Sequence, residues 1–209
     1  MNNKPHIIAI TGGSGSGKTF LCNRIIEKFG KEKILKIEVD SYYKDLIHLR
    51  MEEREKNNFD HPDAFDFDLL NKHLNILNCE DTIKIPIYNY KTHTRKKNTS
   101  LINKTPILIL EGIFSIYNEK LRNLIDFKVY LDTPDIIRKE RRIIRDKNYR
   151  GRTHKSILKQ YENTDYPMYK QYIEPMKKYS DLIIKDNSEN SNEINILTNY
   201  INSILNNLI

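Results

Sequence analysis

Cysteine is scarce in this 209-residue chain, with Cys22 and Cys79 its only two. Two thiols are too few for a disulfide framework. Both fall in helical patterns and are expected to pack as small hydrophobes in a reducing, cytoplasmic setting. No apolar stretch approaches the length of a membrane span, and the first residues lack the charged-then-apolar plan of a secretory leader. The six histidines show no metal-ligand spacing with a supporting acid or cysteine, which argues against a structural zinc. Repeats are absent, and the only polar-rich linker is Asp186–Asn192, before the last helical pattern. What remains is one domain, residues 1–209, long enough for a substantial core.

Positive charge is densest in one segment. From Arg138 to Lys155 nine basic residues meet two acids, Glu140 and Asp146, so this segment holds the whole formal charge of +7. One concentrated basic patch suits a small polyanion such as a triphosphate. A nucleic-acid binder would spread its charge along a face with stacking aromatics between. Neither nucleic acid nor membrane is expected as a partner.

Gly12, Gly13, Ser14, Gly15, Ser16, Gly17, Lys18 and Thr19 fit the phosphate-loop pattern G-x-x-x-x-G-K-[ST]. The flanks fit too. His6–Ile10 is short, apolar and β-branched, as a buried parallel strand should be, and Phe20, Leu21, Ile25, Ile26 and Phe29 recur at helical spacing. In such a loop glycines let successive N–H groups face one anion, at a helix N-terminus that adds positive partial charge. Lys18 would reach the β- and γ-phosphates and Thr19 would place a hydroxyl on Mg²⁺. The competing reading, a flexible Gly/Ser turn, does not account for the strand and helix around it.

Further apolar runs at Ile34–Val39, Ile107–Leu110, Phe127–Leu131 and Leu182–Ile184 read as strands. Helical patterns alternate with them at Lys18–Phe29, Phe67–Leu77, Pro134–Arg145, Ser156–Gln160 onward and Ile194–Leu208. The alternation predicts an α/β fold, three layers with a parallel central sheet and ligands beyond its carboxyl edge. Ile83–Tyr88 and Asn98–Leu101 flank a polar stretch and predict a projecting β-hairpin.

Asp40 follows the second apolar run and is expected at a strand's carboxyl end. There it could hold Mg²⁺ or accept the proton of an attacking hydroxyl; a helix N-cap is the alternative. Glu111 ends another apolar strand, as a second Mg²⁺ partner or a turn acid. Phe59 to Asp68 packs four acids and three phenylalanines into ten residues. That mixture suits a polyol, with carboxylates accepting from hydroxyls and rings against the apolar face. A helix cap at Asp66 or Asp68 explains the later acids but not Asp60. Tyr88, Tyr90 and His93 at the hairpin tip could stack on a planar base or simply pack. Arg138, Arg142 and Arg145 share a helical face, with Arg150 and Arg152 flanking Gly151. This reads as a basic lid, about residues 138–155, closing over phosphates, against a solvated basic face as the alternative.

Together Asp40-Ser-Tyr-Tyr43, Phe59-Asp-His-Pro-Asp-Ala-Phe-Asp66, Ile85-Pro-Ile-Tyr88, Thr92-His-Thr-Arg95, Glu111-Gly-Ile113 and Arg150-Gly-Arg152 resemble the uridine–cytidine kinase family, over about Ile7 to Lys185. The resemblance implies Mg²⁺-dependent transfer of the γ-phosphoryl of ATP or GTP to a nucleoside 5′-hydroxyl. It implies Asp40 as the base and Mg²⁺ holder, with Tyr43 and Phe59 in the nucleoside pocket and Asp60 on the ribose hydroxyls. Tyr88 and His93 would contact the pyrimidine. Lys18, Arg142, Arg145, Arg150 and Arg152 would serve the phosphates, and Arg145, Arg152 and Gln160 would reach ribose or phosphate. It also implies a homotetramer restrained by pyrimidine triphosphates. The chain departs from the family at Asn89, where Asp is usual, and at Tyr166 and Tyr169, where a basic residue and a histidine are common. The rivals are another small-molecule kinase of the phosphoribulokinase kind and a non-catalytic nucleotide-binding regulator.

Overall fold

The computed structural model describes residues 4–151, 153–185 and 191–207, the side chains of Tyr149 and Arg150 excepted. In chain order its elements are β1 (His6–Gly12), α1 (Lys18–Phe29), β2 (Ile34–Glu38), α2 (Met51–Arg54), α3 (Phe67–Cys79), β3 (Thr82–Asn89), β4 (Thr94–Asn103), β5 (Ile107–Glu111), α4 (Glu119–Leu124), β6 (Phe127–Leu131), α5 (Asp135–Arg150), α6 (His154–Gln160), α7 (Tyr166–Met168), β7 (Leu182–Ile184) and α8 (Asn192–Asn206). β1 pairs in parallel with β5 and β6, β5 with β2, and β6 with β7, giving the order β2-β5-β1-β6-β7. β3 and β4 pair antiparallel in a separate ribbon. All five expected parallel strands and the hairpin are present.

Strand side chains alternate between the two faces of a sheet, and here both faces are covered. Ile7, Ala9, Ile37, Leu108, Leu110 and Tyr130 face one core, shared with Leu70, Leu74 and Leu77 of α3 and Ile83 and Ile85 of the ribbon. Ile8, Ile10, Ile34, Ile107, Ile109 and Val129 face the other, against Leu21, Cys22 and Ile25 of α1 and Leu197 and Ile201 of α8. Each fully buried Ile or Leu contributes about 1.5–3 kcal/mol. Helix ends follow local chemistry. Asp66 caps α3 by accepting from Leu69 N–H at 3.0 Å, and Thr153 Oγ1 accepts from Ser156 N–H at the start of α6.

Cys22 is buried as expected, whereas Cys79, the last residue of α3, is exposed. Three further features differ from the expectation. β2 stops at Glu38, and Val39–Tyr42 turns as a 3₁₀ helix, so Asp40 stands just past the strand. The short helices α2 and α4 carry too few apolar residues for a periodic signal. After α6 the chain stays helical in wider π turns at Tyr161–Asp165 and Tyr169–Ile173, with α7 between them. No helix among the described residues is long and apolar enough to cross a membrane.

Candidate active site

β1 ends in the glycine loop, whose backbone needs the left-handed region at Gly15 (φ 79°) and at Gly17 (φ 94°), the residue before α1. Lys18 is buried and folds back on the loop, donating to Gly12 O at 3.0 Å and Gly13 O at 3.1 Å. Burial lowers its pKa, with Glu111 and Asp40 opposing. Thr19 Oγ1 donates to Glu111 Oε2 at 3.2 Å, so the first turn of α1 touches the tip of β5. A Cβ on Gly112 would lie 2.6 Å from the Val39 Cβ. This close approach draws the ends of β2 and β5 together and sets Asp40 near Glu111.

Asp40 has Glu111, Lys18, Glu38 and Asp60 within electrostatic reach. Burial first, then Glu111, raises its pKa from 3.8 to about 7, while Lys18 pulls the other way. Lys18 of the expected anion cradle and Asp60, the expected sugar carboxylate, therefore both lie near Asp40. The oxygen donors of Thr19, Asp40 and Glu111 suit Mg²⁺, which takes few protein ligands and completes its shell with phosphate and water. Among the described residues no set of three or more His, Cys, Asp or Glu side chains forms a metal site.

The aromatic residues converge as well. Tyr43 OH donates to Phe59 O at 3.2 Å, and its ring lies 5.1 Å from that of Tyr88. His93 is at the ribbon turn in the left-handed region (φ 52°) and stacks on Phe59 at 4.6 Å and 19°. Burial lowers the His93 pKa, so the ring is neutral at neutral pH. Arg95 ties this ribbon to the loop after β2. Its guanidinium donates to Tyr43 O at 3.0 Å, Tyr42 O at 3.3 Å and Asp66 Oδ2 at 3.1 Å. Gln160 closes α6.

The basic face of α5 is where the sequence expectation changes most. Arg138 is 3% exposed. It donates to Thr133 O at 3.1 Å and Asp135 Oδ1 at 2.8 Å, and its guanidinium lies 3.7 Å from the Tyr169 ring centroid. The same side chain backs the glycine loop, since a Cβ on Gly13 would meet Arg138 Nη1 at 2.2 Å. Arg138 is a scaffold for the loop, not part of a solvent-facing lid. Arg142 is also buried, its Nη2 2.7 Å from Asp165 Oδ2 and 3.7 Å from Asp60 Oδ2, with Nε 3.6 Å from Asp146 Oδ2. Arg145 fits the lid expectation better: its Nη1 lies 3.4 Å from Ser14 Oγ, and its Nε donates to Asp146 at 2.8 Å. The Arg150 side chain and Arg152 lie outside the described residues. Asp165, unforeseen from the sequence, belongs to this cluster. Its only sequence signal is an acid in a helical stretch.

Known proteins give independent information. The uridine kinase of Clostridium novyi is 48% identical over 202 residues, covering 97% of each chain. That of Geobacillus sp. is 46% identical over 205 residues, covering 98% of this chain. Among solved structures, one titled as a possible uridine kinase from Bacillus stearothermophilus superposes with a TM-score of 0.60 at 20% identity, over 87% of this chain and 89% of that one. Phosphoribulokinase from Rhodobacter spheroides does so with 0.61 at 16% identity, over 87% of this chain and 70% of its own. At such identities these two likenesses speak for the fold. The family model described as phosphoribulokinase / uridine kinase matches residues 7–193. Match, identity and fold agree with the loop and strand-end acids, and the chain belongs to the phosphoribulokinase / uridine kinase family.

Proposed function

We propose that this protein is a uridine/cytidine kinase, transferring the γ-phosphoryl group of ATP or GTP to a nucleoside 5′-hydroxyl. The observation that supports the reading is Asp40, a carboxyl raised to about 7 within electrostatic reach of both Lys18 and Asp60, with Tyr43 three residues on packing against Phe59 and Tyr88. The full-length likeness to bacterial uridine kinases supports the nucleoside as acceptor.

A general base works best with a pKa near the operating pH. Asp40 meets that condition and accepts the 5′-hydroxyl proton as the oxygen attacks. Lys18 exchanges its two loop carbonyls for phosphate oxygens, and the loop N–H groups cradle the remaining charge. Arg145, beside Ser14, neutralises the transferred group together with Arg150 and Arg152. Thr19, with Asp40 and Glu111 directly or through water, would hold Mg²⁺, and the ion would supply charge neutralisation at the phosphates. Asp60 accepts from ribose hydroxyls and Gln160 adds a polar contact. Phe59 and Tyr88 flank the base, and neutral His93 hydrogen-bonds its edge. Positioning and electrostatics supply most of the catalysis in this reaction class.

The test is ADP release across uridine, cytidine, purine nucleosides and non-nucleoside alcohols such as a pentose phosphate, with ATP and with GTP. Selective turnover of uridine or cytidine is expected. Preference for a non-nucleoside alcohol would move the protein to another branch of the family, and binding without turnover would make it a regulator.

A further inference from the structure

Two buried carboxyls stand side by side where the sugar is expected. The Asp165 and Asp60 carboxyls meet at one nitrogen, Arg142 Nη2, 2.7 Å from Asp165 Oδ2 and 3.7 Å from Asp60 Oδ2. The side chains of Asp165, Asp60, Arg142 and Asp146 are 5%, 13%, 5% and 0% exposed. Arg142 pairs with both Asp60 and Asp165 through one nitrogen, and Arg145 pairs with Asp146. Arg142 thus stands between the Asp60 and Asp165 carboxylates, and one positive charge against two negative ones in a dry setting calls for a proton. The pair shares it: burial, then the adjacent Asp60 carboxyl, raises the Asp165 pKa against the pull of Arg142. Despite the 2.7 Å ion pair, neither Asp165 oxygen accepts an aligned hydrogen bond. Such buried acceptors are stabilised when a ligand hydroxyl supplies the missing donor.

We propose that Asp165 and Asp60 act together as a two-carboxyl clamp on the adjacent 2′- and 3′-hydroxyls of a ribonucleoside, with Arg142 as their shared counter-ion. The inference rests on the kinase reading for its ligand and extends it to a residue that selects ribose over deoxyribose. With one proton between them, the pair presents both a donor and several acceptors to two neighbouring hydroxyls, each of which can also donate and accept. Removing one hydroxyl leaves a buried carboxyl unmatched, and sites built this way discriminate strongly against the analogue that lacks the group. The same contact holds Arg142 on the sugar side of α5, away from the phosphates.

Asp165→Val and Asp165→Asn separate this role from a merely structural one. Arg142 keeps Asp60 and Asp146 in both variants, so both should fold; Asp165→Ala replaces the Val variant if thermal unfolding shows otherwise. Ratios of kcat/KM for uridine over 2′-deoxyuridine and over 3′-deoxyuridine are measured at saturating Mg²⁺-ATP, together with calorimetric binding of the same nucleosides. In Asp165→Val at least one ratio should fall about tenfold or more, while the KM for ATP changes less than about twofold. Asp165→Asn, which like the protonated acid offers a donor and an acceptor, should retain most of the selectivity. Unchanged ratios in Asp165→Val, or an Asn variant that falls as far as the Val variant, would overturn the proposal. Wild-type protein that binds ribonucleosides selectively without turnover would keep the clamp and remove the kinase reading. Absence of nucleoside binding would remove both.

Discussion

Asp40→Asn is expected to make the ligand-free protein more stable at pH 8 while removing most of its turnover. Burial and the neighbouring Glu111 move the Asp40 carboxyl from 3.8 to about 7. A carboxyl whose folded pKa exceeds its unfolded one holds its proton more tightly in the folded state. Its ionised form therefore opposes folding fully above about pH 7, and the effect fades as pH falls towards the unfolded value near 4. The distance between 3.8 and about 7 corresponds to about 4 kcal/mol as an upper limit. The side chain keeps some solvent contact, and solvent screening brings the expected gain to about 2 kcal/mol. For a chain of this size that is roughly 4–8 °C in Tm. Asparagine has the same shape and no charge to lose. Thermal unfolding of both proteins without nucleotide or Mg²⁺, from pH 5 to pH 8, reads the gap directly. It should widen with pH in favour of the variant. A gap independent of pH, or one favouring the wild type at pH 8, would refute the argument from buried charge. In parallel, turnover should fall on the order of a hundredfold or more with ATP binding intact; near-normal turnover would remove Asp40 from the mechanism.

Asp60→Ala should raise the KM for the nucleoside far more than the KM for ATP, and steady-state kinetics showing equal rises would count against a sugar contact. His93→Ala should blur the discrimination between uridine and other nucleosides in the same panel; unchanged selectivity would exclude His93 from base recognition. In Gly13→Ala the new methyl group meets Arg138 and pushes it from the Tyr169 ring. Loss of about 1–3 kcal/mol in denaturant unfolding, with weaker ATP binding, is the expected result. Unaltered stability would show that the loop has room to yield.

The phosphate loop was legible because its chemistry is local: the glycines, Lys18 and Thr19 lie within eight consecutive residues, and the flanking strand and helix are periodic. Asp40 and Glu111 could be placed because each follows an apolar run that ends at one edge of a parallel sheet. The acid–aromatic block was half legible. Asp66 proved to be the α3 cap, and Asp60, the acid no cap explained, is the one that turns inward. The basic segment was misleading for a physical reason. Counting charge along α5 gives a cationic face, yet Arg138 and Arg142 turn inward, and Arg142 meets counter-ions from far along the chain, Asp60 before it and Asp165 after it. Asp165 itself was hidden because it sits in π turns, where the 3.6-residue periodicity that sorts inward from outward positions no longer applies.

Arg95 is a single strut between two jobs. Its bonds to Tyr42 O and Tyr43 O fasten the ribbon, proposed above to read the base, to the backbone two and three residues after Asp40. A nucleobase that fits badly and displaces the ribbon must drag that backbone along, misaligning the proton acceptor by the same movement. Wrong bases would then be rejected through slow turnover more than through weak affinity, making recognition and chemistry one mechanical event.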